Sequence, residues 1–312
     1  MSVPLLSCEE FFGPNRAEVV QKLGDAFVKY GFVRFKNFGI PKELIDALFS
    51  ESKDLFELPQ DVKDKYCVPG GQGQRGYTPK RVETAKGESA PDLKEFWHVG
   101  RELAAGEKYA DLYTSNVWPT ERPEFKKVTL EVYRQLDEIA FVVLEALAEF
   151  LGEDSKRISS LAEGGNSILR ILHYPPLKDF DNVKGAIRAA AHGDINLITL
   201  LITASTSGLE LLTREGEWMP VMNGPDEIIV DAGDMLERIS NMKIPATIHR
   251  VVNPDNANSA RYSVPFFVHP RPDAVLSVLD SCKGEGFPEP KEDITGMDFL
   301  LERLNEIGLG RL

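Results

Sequence analysis

Along the first third of the chain the apolar positions switch between two periods. Val19, Val20, Leu23 and Phe27 recur at helical spacing, and Gly31 stops that helix. The run Phe32-Val33-Arg34-Phe35 then predicts a short strand ending in the turn residues 37–41. Ile45, Leu48, Phe49, Leu55 and Phe56 predict a second helix, closed by Leu58-Pro59. A glycine-rich stretch at 70–76 has no GxGxxG arrangement following a strand, so it reads as a loop rather than a phosphate cradle. A long helix is expected at about 123–152. Phe125, Val128, Val132, Leu136, Ile139, Val143 and Leu147 keep one of its faces apolar, and Gly152 suits its C-cap.

The texture changes after residue 167. Short β-type runs at 168–173, 195–203, 209–212, 218–221, 227–230, 247–252 and 262–268 alternate with turn signals such as Ser207-Gly208, Asn223-Gly224-Pro225 and Asn253-Pro254-Asp255. Many short strands at this spacing predict a sandwich or barrel. A terminal helix is expected at 294–307. The expected organisation is an α+β region over 1–120, a helix-supported β core over 121–290, and a closing helix over 291–312.

Composition narrows the class. With 42% hydrophobic and 27% charged residues, the 312-residue chain is an ordinary globular protein with a sizeable core. Its net charge of −13 disfavours phosphate backbones and anionic lipid surfaces as partners, and leaves a small-molecule substrate open. Cys8, Cys67 and Cys282 are sparse and far apart, which suggests free thiols in a reducing compartment. The start, MSVPLLSCEEFFGPNR, lacks a basic segment followed by a long apolar one, and no apolar run approaches the roughly 20 residues of a membrane span. A cytoplasmic location is the expectation; the oligomeric state stays open.

The candidate chemistry lies among five histidines. In His192-Gly193-Asp194 the imidazole and the carboxylate are two apart, so on a strand they would share a face, and a second strand can bring His249 to the same point. Two imidazoles and one carboxylate on one side of an ion leave the other positions open, as non-haem iron oxygenases require. Arg261 and Ser263 would likewise share a strand face, where the Arg fork and a hydroxyl can bind a carboxylate. Tyr174 can add a phenolic hydrogen bond. Taken singly, each of these has a plainer reading: a local turn pair, a surface ion pair, a core aromatic.

Taken together, in order, they resemble a known family. ILRILHYPP, AAAHGDINLITLLI, GLELL, VDAGDMLERISN, ATIHRVVNP and ARYSVPFFVHPRPD are similar to the catalytic half of the iron(II)- and 2-oxoglutarate-dependent dioxygenases, in the branch related to isopenicillin N synthase. GFVRFKNFGIP, LFELPQDVKDKY, RGYTPKRVE and DLKEFWHVG resemble that family's N-terminal region, so the similarity covers nearly the whole chain. The resemblance implies a double-stranded β-helix, or jelly roll, in a mixed α+β chain. It implies an iron triad of His192, Asp194 and His249, and a 2-oxoglutarate site made by Arg261, Ser263 and Tyr174. It further implies O2-dependent oxidation (hydroxylation, desaturation or cyclisation) of a small molecule with release of succinate and CO2, ascorbate serving at most as a supporting reductant. Two positions depart from the pattern: Leu172 stands where Asn is common, and Phe38 where His is common. The first bears on cosubstrate binding, the second on packing. Arg188, Met235 and Phe267 are candidates for the substrate border, whereas His98, His173 and His269 are expected to be structural. Isopenicillin N synthase itself uses no 2-oxoglutarate, so a cosubstrate-independent oxidase remains a second reading. A non-catalytic metal-binding jelly roll and a zinc hydrolase remain weaker ones.

Overall fold

The computed structural model describes residues 2–69, 74–80, 94–176, 189–203, 208–224, 226–252 and 260–306. The first part of the chain forms β1 (Leu5–Ser7), α1 (Arg16–Tyr30), β2 (Phe32–Lys36), α2 (Lys42–Phe56), α3 (Gln60–Lys63), β3 (Gly76–Thr78) and β4 (Glu95–Gly100). Two helices follow, α4 (Pro123–Leu151) and α5 (Lys156–Ala162). The remainder supplies β5 (Ile168–Tyr174), β6 (Ala189–His192), β7 (Ile198–Thr203), β8 (Leu209–Leu212), β9 (Trp218–Pro220), β10 (Ile228–Ala232), α6 (Asp234–Ile239), β11 (His249–Val251), β12 (Arg261–Val268) and α7 (Gly296–Glu306).

Two sheets face each other. The larger runs β1-β2-β10-β7-β12-β5-β4-β3, and the smaller β6-β11-β8-β9. The strands of the N-terminal region lie at both edges of the large sheet, so the sheet crosses the expected boundary near residue 120. Its strands pair antiparallel except β1 with β2. Antiparallel alternation gives each strand an outer and an inner face.

The outer face is covered by helices. Phe125, Val132, Leu136, Ala140, Val143 and Leu147 of α4 are all fully buried, as the apolar period requires. Tyr133 meets Phe266 of β12 edge-on at 4.9 Å, and Phe125 meets Trp97 of β4 at 5.7 Å. The approach of α1 to α4 depends on Gly24, where a Cβ would overlap the Phe150 ring. Gly31, with φ +65°, ends α1; a side chain there would also collide with Thr247. That tight turn starts β2 at Phe32, which lies between the sheets with Leu209, Leu211, Met219, Val221 and Ile229.

Several expectations shift. The run at 195–203 is a strand only from Ile198, because Ile195 to Leu197 form bends before β7. The strands β1, β3, β4 and β6 and the helices α3, α5 and α6 escaped the periodicity: each is short, or buried on both faces like β4. Of the glycine-rich stretch, 70–73 lie outside the described residues, and Gly76 opens β3. No helix among the described residues is long and apolar enough to cross a membrane.

Candidate functional site

Three side chains converge at the open end between the sheets. His192 ends β6 and is paired directly with His249 of β11, so their rings lie 4.5 Å apart. Asp194 arrives differently from the expectation. It is not on the strand with His192 but in the irregular segment that follows, just before the bend at 195–197, and the course of the chain there, not strand alternation, aims its carboxylate at the histidines. Asp194 Oδ1 lies 3.8 Å from Nε2 of each histidine, and the three donor atoms are within 4.8 Å of one another.

The surroundings fix which atoms are available. His192 Nδ1 sits 2.7 Å from the Ala190 carbonyl and His249 Nδ1 3.2 Å from that of Thr247. A carbonyl can only accept, so each Nδ1 carries the proton and each Nε2 presents its lone pair to the centre. Asp194 Oδ2 accepts from the Thr199 hydroxyl, leaving Oδ1 for the centre. Asn196 in turn donates to Thr199 Oγ1 and to the Ile198 carbonyl, 3.0 Å each. Asp231, on β10 beside Thr199, is buried against Asp194; burial first, then that neighbour's charge, raises its carboxyl well above the ordinary range. In its protonated form Asp231 donates to Asp194. Phe32 closes the centre by meeting His249 edge-on at 5.6 Å.

One side stays open. Side-chain exposure is 46% for His192 against 10% for His249 and 7% for Asp194. Burial of the ring against its surroundings, and then the neighbouring His249, lower the His192 pKa. Two neutral imidazoles and one carboxylate, oriented by backbone and hydroxyl partners and open on one side, fit a divalent cation with bonds of about 2.0–2.2 Å.

Along the same inner face lies the second group. Arg261 pairs directly with Tyr174, and Ser263 with Leu172 on one side and Thr203 on the other. Arg261, Ser263 and Tyr174 are all buried, at 4%, 3% and 4% exposure. Gly208 keeps room for the guanidinium, since a Cβ there would lie 3.0 Å from Nη1. The departure at Leu172 puts an apolar side chain in the row, packed with Phe96 and Tyr174. Farther along β12, Phe267 pairs with Thr199, the residue that holds Asp194, so one strand face connects both groups.

Residues 3–121 match the model for the N-terminal part of non-haem dioxygenases in morphine synthesis, and residues 165–270 match that of the 2OG-Fe(II) oxygenase superfamily. The chain belongs to the 2OG-Fe(II) oxygenase superfamily. A 2-oxoglutarate-Fe(II) type oxidoreductase of Emericella nidulans is 31% identical over 92% of this chain and 85% of its own length. Among solved structures, a 2OG-Fe(II) oxygenase family protein from Caulobacter crescentus is 41% identical with a TM-score of 0.89, covering 97% of this chain and 98% of that one. A full-length Neurospora crassa protein, solved in complex with alpha-KG and thymine, is 28% identical with a TM-score of 0.86, covering 97% and 96%. The jelly-roll core, the oxidoreductase class, and the use of iron(II), 2-oxoglutarate, O2 and a small molecule follow for this oxygenase.

The candidates for the substrate border fare unequally. Phe267 is on the inner face and half-buried. Met235 is not at a border: it is fully buried in the main hydrophobic core, because α6 turns its apolar side inward. Arg188 lies outside the described residues. Thr199, Asn196, Asp231 and Phe32, which surround the triad, were not legible as site residues. The one signal was polar positions, Asn196 and Thr199, inside an otherwise apolar run. His173 points to the outer face, where Nδ1 bonds Glu95 at 2.8 Å and the ring stacks on Tyr262 at 4.8 Å.

Proposed function

We propose that His192, Asp194 and His249 hold the iron of this oxygenase, and that Arg261, Ser263 and Tyr174 hold the distal carboxylate of 2-oxoglutarate. The observation that carries this is the convergence of two lone-pair-bearing Nε2 atoms and one carboxylate oxygen, each with its other polar atom tied back to protein. When bound, the metal and its cosubstrate supply O2 reduction coupled to decarboxylation of the 2-oxo acid to succinate and CO2, with oxidation of the substrate.

The chain's own residues do the positioning. Thr199 and protonated Asp231 hold Asp194 in one rotamer and spread its charge toward Oδ1. The carbonyls of Ala190 and Thr247 keep both histidines in the tautomer with a free Nε2. Arg261 fixes the far end of a dicarboxylate along β12, so that its near end reaches the triad. Phe32, Leu209, Leu211 and Ile229 exclude water from the closed end. Phe267 borders the substrate. The three free cysteines support a reducing, cytoplasmic setting, and the motif order supports placement in the isopenicillin N synthase-like branch.

The test is metal titration. His192→Ala, Asp194→Ala and His249→Ala are each expected to lose iron(II) binding and 2-oxoglutarate-dependent succinate release while remaining folded. Normal iron affinity in all three variants rules out the assignment.

A further inference from the structure

Phe96, His98 and Gly100 alternate on the inner face of β4, opposite Leu172, Arg170 and Ile168 of β5. The row ends at a position without a side chain. A Cβ built on Gly100 would overlap the guanidinium of Arg75, so that group fills the place next to His98 and faces the same interior. Arg75 is only 1% exposed. Its Nη2 donates to Asn166 Oδ1 at 2.6 Å and its Nη1 to the Gln74 carbonyl at 2.7 Å, while Nε has no partner. Burial holds its pKa below the ordinary guanidinium range, and among the described residues no carboxylate offsets its charge. A buried cation without a counter-ion is strongly unfavourable, and a ligand anion is one way to relieve it.

A second observation joins this corner to the metal centre. His269, just past the end of β12, has a buried Nδ1 without a partner, and Gly100, Ile168, Phe267 and Thr199 stand in register across β4, β5, β12 and β7. Between the two groups stand Phe267 and the guanidinium of Arg170, which lies 5.4 Å from the Phe267 ring and 4.4 Å from that of Phe96. The corner therefore offers the positive charge of Arg75, which no described carboxylate offsets, a spare acceptor or donor at His269, and an aromatic wall leading to the triad.

We propose that this corner is the substrate subsite, and that Arg75 anchors there the carboxylate of a small organic acid whose apolar body lies along Phe267. The inference rests on the iron and cosubstrate site proposed above. Arg75 Nε and the remaining Nη hydrogens present a fork to one carboxylate. In this role Arg75 is a substrate-specificity residue, separate from the Arg261 anchor.

The experiment uses the full chain loaded anaerobically with iron(II) and 2-oxoglutarate, whose visible charge-transfer absorption reports changes beside the metal. Benzoate, phenylacetate, cinnamate and pentanoate are titrated against their amides. At least one acid is expected to perturb the band saturably, with its amide binding about tenfold more weakly or not at all. Arg75→Gln is expected to abolish that preference. Gly100→Ala, which keeps Arg75 but displaces its guanidinium, should do the same without altering the dissociation constant for 2-oxoglutarate measured by calorimetry. An arginine that only supports the fold would change stability and leave the acid-over-amide preference intact. A parent enzyme that forms no band overturns the iron and cosubstrate assignment. A band unmoved by every acid, or moved equally by acids and amides, overturns the Arg75 proposal alone, as does an undiminished preference in either folded variant.

Discussion

Replacing Arg261 with lysine probes the proposed cosubstrate anchor most directly. The side chain is 4% exposed, directly across from Tyr174, and its Nη1 comes so close to the Gly208 backbone that a Cβ there would be 3.0 Å away. A lysine ammonium reaches into the same slot as a point donor and cannot make the paired, coplanar bonds of the fork. The loss is at least one charge-assisted hydrogen bond, about 1.5–3 kcal/mol, or about a 10- to 150-fold weaker dissociation constant for 2-oxoglutarate. Tyr174→Phe removes one neutral bond, about 0.5–1.5 kcal/mol, and should weaken binding by about 2- to 12-fold. Calorimetric titration of manganese(II)-loaded protein with 2-oxoglutarate, without oxygen, reads both numbers. Metal affinity, measured separately, should be unchanged, since β12 contributes no metal ligand. A dissociation constant for Arg261→Lys within about threefold of the parent's would refute the placement, because no buried fork on a carboxylate can be lost at so small a penalty.

Three further perturbations test the supporting residues. Asp231→Asn preserves a donor toward Asp194 and should leave iron affinity within about threefold, whereas Asp231→Leu should lower it about tenfold or more; equal losses would mean that the carboxyl is not the protonated partner. Burial holds the His269 pKa down to about 4 from its ordinary 6.5, so the folded state favours the neutral ring; its contribution is fully present above pH 6.5 and is lost as pH falls toward about 4. The melting temperature of metal-free His269→Gln should thus fall less between about pH 7 and pH 4.5 than the parent's, and parallel curves would contradict this. On the outer face, burial raises the Glu95 pKa, but hydrogen bonds from His173, Lys63 and Tyr77 outweigh it and bring the carboxyl down to about 2. Glu95→Gln strands the buried Lys63 and should cost about 3–5 kcal/mol in urea unfolding, with a change under about 1 kcal/mol counting against a paired charge.

The sequence made the triad and the proposed cosubstrate row visible because those residues stand at short, chemically meaningful spacings and in a recognisable order. Arg261 and Ser263 could be placed on one strand face from spacing alone, and β12 bears this out. The same argument gave the right neighbours and the wrong geometry for His192 and Asp194, since nothing local distinguishes the end of β6 from the bend after it. The long amphipathic helix was readable over nearly its full length because its apolar positions, from Phe125 to Leu147, kept one period. β4 was not, because it is buried on both faces and has no alternation to read. Asp231 and Arg75 escaped for a different reason: their importance comes from what surrounds them. Asp231 in VDAGD and Arg75 in QRGY carry no signal until the fold shows which charges they face and which they lack.

The arrangement of the large sheet has a consequence for how this chain can be handled and how it matures. Strand β10 pairs with β2 on one flank and β5 with β4 on the other, so the catalytic strands have no finished border of their own. A fragment cut near residue 120 would present two rows of unsatisfied backbone groups, a template for intermolecular pairing. Such a fragment should therefore aggregate rather than yield a minimal oxygenase. During synthesis β2 must wait for β10, which begins only at residue 228, before its second neighbour exists. The early helices α1 and α2 can bury much of their apolar surface only once α4 has emerged. Closure of the active-site end thus comes late, and a nascent chain stalled before residue 228 exposes the surface that chaperones recognise.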